Sequence, residues 1–244
     1  MVGFTSVSLR PYSTEEVVAA AKEAGAEFIE WGSDVHVKTP ADARKAKKLC
    51  DENGIIIRSY GSYYRTGSRN EKEWQTILEN ADCLGAKVIR TWLGTKGSAE
   101  TSPEEYLELL ADARYMADTA AKYGITVSHE CHPNTYNDTT ETCLRFLRDA
   151  DKDNLKTYYQ SWYRDESGDK EKLIKTLPFV TDIHLSFSEL VKFQQGFPAD
   201  EKYIEKIISW AKELHFNGNY TIEFVQDDSP ENLKNDIIRL KELL

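Results

Sequence analysis

The stretch Thr126-Val-Ser-His-Glu-Cys-His-Pro-Asn134 opens on a β-branched run and closes on carboxylate, imidazole, proline and asparagine. That shape reads as a short buried strand whose last residues face a site and not a core. Three later runs end in a similar way: Leu155-Lys-Thr-Tyr-Tyr-Gln160, Val180-Thr-Asp-Ile-His184, and Tyr220-Thr-Ile-Glu-Phe-Val225 with its Glu223. The expectation is that Glu130, Gln160, His184 and Glu223 converge on one spot.

Outward from this stretch, short apolar runs alternate with longer amphipathic ones. Strands are predicted at Phe4–Leu9, Phe28–Trp31, Ile55–Tyr60 and Val88–Trp92, each followed by a helical pattern. The helices are expected over 14–24, from Pro40 to the residue before Gly54, over 71–84, and from Pro103 to Tyr123. Later ones are expected over 139–148, 170–176, 199–215 and 230–243. Gly25, Gly54, Gly85 and Gly124 each stop a helix before a strand, as a tight αβ loop requires. Eight strand–helix units recur at roughly 25–40 residues, the spacing that parallel crossovers need. Ile55-Ile-Ile and Val88-Ile are continuous apolar runs, as strands covered on both faces should be. The architecture these patterns favour is a (β/α)8 barrel, with residues 1–244 as one domain. An open doubly wound sheet is the runner-up, but no GxGxxG or P-loop follows the first strand.

The length of 244 residues suits such a barrel, which takes about 250. A hydrophobic share of 40% with 30% charged residues is that of a soluble globular chain. A net charge of −10 argues against a nucleic-acid partner, because phosphate backbones call for a basic stripe. Cys50, Cys83, Cys131 and Cys143 form no CxxC pair and no zinc-ribbon spacing, so they read as free thiols in a reducing compartment. Met1-Val-Gly-Phe-Thr-Ser6 is not a signal peptide, and no run is long and apolar enough to span a membrane. A cytoplasmic location is expected.

Sites in this architecture form at the C-terminal ends of the strands. Those ends carry Trp31 and His36, Tyr60 and Tyr63, Arg90 and Trp92, Glu130 and His132, Gln160 and Trp162, His184, and Glu223. Aromatic walls with a few convergent polar groups suit a small sugar or polyol, whose C–H faces stack on rings. Two carboxylates, an imidazole and an amide oxygen form a mixed ligand set for manganese or magnesium, with cobalt or zinc as further candidates. The bland alternative for Glu130 and Glu223 is a rim salt bridge, and for His184 a buried structural role. His132, two residues past Glu130, either binds substrate or orients Glu130. His36 is a candidate to reach the pocket; His129 reads as structural and His215 as a surface residue. Arg90 either meets a phosphate or carboxylate on the substrate or neutralises Glu130. Tyr63-Tyr-Arg-Thr-Gly-Ser-Arg-Asn70 reads as a polar loop, either solvated or acting as a lid.

These pieces resemble the xylose-isomerase-like TIM barrels of the sugar phosphate isomerase/epimerase family over essentially the whole chain. The resemblance is carried by Ile29-Glu-Trp-Gly32 with His36, Ser59-Tyr-Gly61, Ile89-Arg-Thr-Trp92, Glu130-Cys-His-Pro-Asn134, Ile183-His184 and Thr221-Ile-Glu223. It implies a metal held by a glutamate, an aspartate, a histidine and a second glutamate. Glu130, His184 and Glu223 match three of these, and Gln160 stands where aspartate is expected, which removes a charge and should weaken metal binding. The implied reaction is metal-assisted proton transfer next to a carbonyl through an enediolate, with Glu130 and Glu223 as acid and base. Trp31, His36, Tyr60, Arg90, Trp92, His132 and Trp162 would then hold the substrate. A metal-dependent dehydratase of a keto-polyol uses the same first step. A non-catalytic sugar-binding protein with a decayed metal site is the reading from another class. A homo-oligomer is expected from the resemblance alone.

Overall fold

A computed structural model describes residues 1–161, 166–187 and 201–244. Trp162 and the start of the helix expected over 199–215 lie outside the described residues. The strands are β1 (Val2–Thr5), β2 (Phe28–Gly32), β3 (Ile56–Thr66), β4 (Val88–Leu93), β5 (Thr126–Glu130), β6 (Leu155–Tyr159), β7 (Val180–Leu185) and β8 (Asn219–Ile222). All neighbours pair in parallel and in chain order, and β8 returns to β1, so the sheet is a closed barrel. The closing register joins Val2 to Tyr220 and Phe4 to Ile222. Around it lie α1 (Thr14–Ala24), α2 (Pro40–Asn53), α3 (Glu71–Leu84), α4 (Pro103–Ala121), α5 (Thr140–Ala150), α6 (Glu166–Thr176), α7 (Glu201–Glu213) and α8 (Pro230–Leu243).

Local chemistry sets the helix boundaries. Ser13, Thr39 and Ser102 each accept the N–H three residues on, and Glu16, Asp42 and Glu105 reach back to complete capping boxes. Each such cap contributes about 1 kcal/mol. Gly25 and Gly54 take left-handed φ of 70° and 69° at the helix ends, a conformation that costs a side-chain-bearing residue more. Small residues on the inner helix faces, such as Ala21, Ala43, Ala46 and Ala113, let the helices settle close on the barrel, and all are fully buried.

Two expectations change in ways that matter for the site. The run Phe4–Leu9 is not one strand, because Ser6–Leu9 curls into a 3-10 turn. Ser6 Oγ accepts the Gly32 N–H at 2.9 Å and Ser8 Oγ accepts the Phe224 N–H at 2.9 Å, so two hydroxyls pin the end of β1 to the ends of β2 and β8. The segment from Tyr63 is not a plain loop, because β3 resumes after an irregularity and pairs Arg65 with Trp92 and Thr66 with Leu93. Its turn is fixed by the buried Asp112 of α4, which accepts the Gly67 N–H at 2.6 Å and the Tyr64 hydroxyl at 3.2 Å. A buried carboxylate holding a backbone N–H in this way makes a rigid rim.

Candidate active site

The C-terminal mouth gathers the four strand-end residues. Glu130 ends β5, Gln160 follows β6, His184 lies on β7 and Glu223 follows β8, and all four are buried. One ligand-capable atom each from Glu130, His184 and Glu223 lie within 4.8 Å of one another. The Gln160 amide nitrogen donates to Glu130 Oε1 at 3.0 Å and to Glu223 Oε2 at 3.1 Å, so it bridges the two carboxylates. His184 Nδ1 stands 3.2 Å from Glu223 Oε2.

Arg90 sits under this cluster. Its Nη1 donates to Glu130 Oε2 in a short contact and lies 3.7 Å from Glu223 Oε1, while Nε is 3.2 Å from Glu30 Oε1. Burial alone would lower the Arg90 pKa; Glu130, Glu30 and Glu223 outweigh it and hold the guanidinium well above its ordinary value. Arg90 is thus surrounded by protein carboxylates, the geometry that its neutralising role calls for. Gly61 makes room for it: a Cβ there would stand 3.1 Å from Arg90 Nη2 and 3.2 Å from Glu30 Oε1.

The same competition of burial and charge acts on the other two groups. Burial opposes the His184 imidazolium, but Glu223, its hydrogen bond and Glu30 raise the pKa. Burial opposes the Glu223 carboxylate, but His184, Arg90 and His132 lower its pKa. His132 Nδ1 lies 2.7 Å from the Pro133 carbonyl oxygen, which can only accept, so Nδ1 donates there. Its ring stacks on Trp92 at 4.5 Å and 20°, and the Trp92 indole N–H donates to Glu130 Oε2 at 2.7 Å.

Three expected substrate contacts do not join this group. Trp31 is fully buried and points away from the barrel axis, since its neighbour Glu30 takes the inward side. Tyr60 is spent on the Val37 carbonyl at 2.9 Å and on the Asn80 amide at 3.1 Å. His36 uses both ring nitrogens, on Ser6 Oγ and the Tyr12 carbonyl, each at 3.0 Å, and burial lowers its pKa. It ties loops together. His129 faces outward against Phe146, and burial pushes its pKa down to about 3.

Sequence reasoning passed over Glu30. It is buried at 1% exposure, accepts from the Ser59 and Tyr158 hydroxyls at 2.7 Å each, and lies 4.0 Å from His184 Nε2. A lone acid inside Phe28-Ile-Glu-Trp31 was the available signal, the same one that singles out Glu130. Lys172 of α6 was also missed. It is buried and donates to the Gln160 carbonyl at 2.8 Å and to Cys131 Sγ at 2.9 Å, clamping the ends of β5 and β6 together. The four cysteines are free thiols.

A family profile described as "Xylose isomerase-like TIM barrel" matches residues 18–243. The chain belongs to the xylose isomerase-like TIM barrel family. Among characterised relatives of this chain, a 3-dehydroshikimate dehydratase of Bacillus anthracis is 38% identical over 165 residues, covering 64% of the chain. The match spans 59% of that relative's length. Two solved structures share the fold. A probable 3-DHS dehydratase involved in petrobactin synthesis in Bacillus anthracis superposes with a TM-score of 0.82, 20% identity and 98% coverage of both chains. A D-allulose 3-epimerase from Methylomonas sp. in complex with D-allulose gives 0.80 at 15% identity, covering 100% of this chain and 96% of its own.

A divalent metal is common in the xylose isomerase-like family, and the residues present fit one. Glu30, Glu130 and Glu223 bring three buried carboxyl groups around one guanidinium, that of Arg90, a surplus of acidic donors that suits a divalent cation. His184 turns Nδ1 toward Glu223 and Gln160, while its Nε2 lies 4.0 Å from Glu30, beyond hydrogen-bond reach. No helix among the described residues is long and apolar enough to cross a membrane.

Proposed function

We propose that the protein is a sugar or keto-polyol isomerase or epimerase that moves a proton at a carbon next to a carbonyl. The observation that supports this reading is the pair Glu130 and Glu223, held apart and aligned by one bridging amide and one guanidinium. Glu130, His184 and Glu223 would hold a divalent ion, manganese or magnesium by the hardness of the donors and cobalt or zinc as substitutes, with Gln160 Oε1 as a weak fourth donor once its amide rotates. When bound, the ion supplies positive charge that polarises the substrate carbonyl and stabilises the enediolate.

The chain's own residues do the rest. Glu223, favoured in its charged form by His184 and Arg90, takes the proton from carbon. Glu130 would enter the step protonated and give that proton to the other side of the enediolate, which leaves Glu223 protonated and Glu130 ionised, the state from which the reverse reaction runs with the roles exchanged. Trp92 and His132 form a stacked wall for the C–H face of the substrate.

The test is manganese titration and solvent-deuterium exchange into ketohexoses, comparing wild type, Glu223→Gln and Gln160→Asp. Expected are loss of manganese binding and exchange in Glu223→Gln and manganese affinity about tenfold tighter in Gln160→Asp. Exchange that survives in Glu223→Gln would remove that residue from the reaction.

A second reading, dehydration of a keto-polyol, is favoured by the 38% identical dehydratase and by the placement of His132, whose Nδ1 is fixed on the Pro133 carbonyl and whose ring stacks on Trp92 beside Glu130. Here His132 takes the proton beside the carbonyl, and the imidazolium gives it to a departing β-hydroxyl as water. Loss of water from the product, read by mass and by absorbance of the new conjugated double bond, separates the two.

A further inference from the structure

Among the described residues, Arg10, Arg65 and Arg90 stand at the barrel mouth, and their partners differ. Arg90 is surrounded by Glu30, Glu130 and Glu223. Arg10 pairs with Asp34 at 2.5 Å and donates to the Tyr63 hydroxyl at 3.0 Å. Arg65 meets no carboxylate among the described residues. One of its nitrogens donates to the Gly94 carbonyl at 3.0 Å, and its guanidinium lies over the Trp92 ring at 4.0 Å from the centroid.

Position makes this lack of a counter-charge informative. Trp92 donates its indole N–H to Glu130, so Arg65 is one indole away from the carboxylate cluster, on a ring that His132 also stacks against. Partial burial lowers the Arg65 pKa and the field of Glu130 opposes that, yet a guanidinium stays charged at any ordinary pH. A chain with 41 acidic and 31 basic side chains thus keeps, among the described residues, a cation at its mouth paired with a carbonyl and a ring face. Guanidinium donors not used by Gly94 match the two oxygens of a carboxylate or phosphate.

We propose that Arg65 anchors an anionic group, carboxylate or phosphate, on the substrate, so that the enzyme acts on an acidic keto-polyol in preference to a neutral sugar. The inference rests on the enolising reaction proposed above and names its substrate class. Trp92 serves as the platform that sets the distance between the anionic end, at Arg65, and the reacting carbon, at Glu130 and Glu223.

The experiment is calorimetric titration of manganese-supplemented protein with two matched pairs: D-fructose 6-phosphate against D-fructose, and shikimate against its methyl ester. Wild type is expected to bind at least one acid about tenfold more tightly than its neutral partner, the scale of a charge-assisted contact. Which acid does so identifies the group. In Arg65→Gln the ratio should fall to near one, and Arg65→Lys should retain part of it, more for phosphate than for carboxylate, since lysine is a point charge. Melting curves of both variants separate a lost anchor from a lost fold. Equal affinities within each pair in wild type, no binding of either acid, or a preference that survives in Arg65→Gln overturns the proposal. Deuterium exchange followed in parallel keeps the two readings apart. An acid preference without exchange supports the anchor and counts against the reaction, whereas exchange into fructose without acid preference does the converse.

Discussion

Two buried ion networks sit inside this barrel, and they are built on different arithmetic. Near the start of β3, the half-buried Arg58 meets the buried Asp182 of β7 at 3.4 Å, one charge against one. At the mouth, three carboxylates surround one guanidinium. Burial raises the Asp182 pKa and Arg58 opposes it, while Glu30 and His184 of the mouth act on it from above, so the lower pair is a one-to-one tie that feels the upper network. The upper network sets three carboxylates around one guanidinium, the surplus on which the proposed metal site rests.

The sharpest way to break this contrast is Arg90→Met. It leaves three buried carboxylates with no permanent counter-charge and should cost about 3–5 kcal/mol of stability by urea unfolding. Added manganese should restore part of the loss, as any ligand of the native state does. Arg58→Met is the counterpart. Asp182, whose pKa burial already raises, loses its counter-charge, and the cost should be about 1–3 kcal/mol with manganese affinity little changed. Gly61→Ala probes the space around Arg90 without touching charge. Crowding of Nη2 and Glu30 should destabilise by about 1–2 kcal/mol and slow deuterium exchange.

Asp236 on α8, outside both networks, gives the smallest effect. Burial pushes its pKa up to about 6. A folded pKa above the unfolded value means that its contribution is present below about pH 4 and is lost as pH rises through 6. Asp236→Asn should therefore raise the melting temperature at pH 7.5, by about 1 kcal/mol equivalent, and leave it unchanged at pH 4.

The barrel was legible because each unit carries its own punctuation. Capping serines and threonines, prolines at helix starts and glycines at helix ends are local signals, and the helices over 14–24, 71–84 and 230–243 fall where those signals put them. Glu130, Gln160, His184 and Glu223 were legible as strand-end polar residues. Facing was harder to read. Strands covered on both sides are apolar at every position, so Phe28-Ile-Glu-Trp31 does not declare which side is inward, and a register shift between Ile29 and Glu30 adds to the ambiguity. Trp31 and Tyr60 were placed in the mouth for that reason, and Glu30 was left out. The extension of β3 through Thr66 depends on Asp112, a residue more than forty positions later, and no local pattern in Tyr63–Asn70 announces it.

The seam between β1 and β8 bears on how the site comes into being during synthesis. The hydrogen bond from Phe224 to Ser8 joins residues 216 positions apart, and Glu223 is the neighbour of that donor. Contacts of such sequence separation form late, after the intervening chain has ordered. A nascent chain that has emerged through β7 therefore carries Glu130, Gln160 and His184 but lacks the second carboxylate. The proposed site is therefore complete only once β8 closes the barrel against β1.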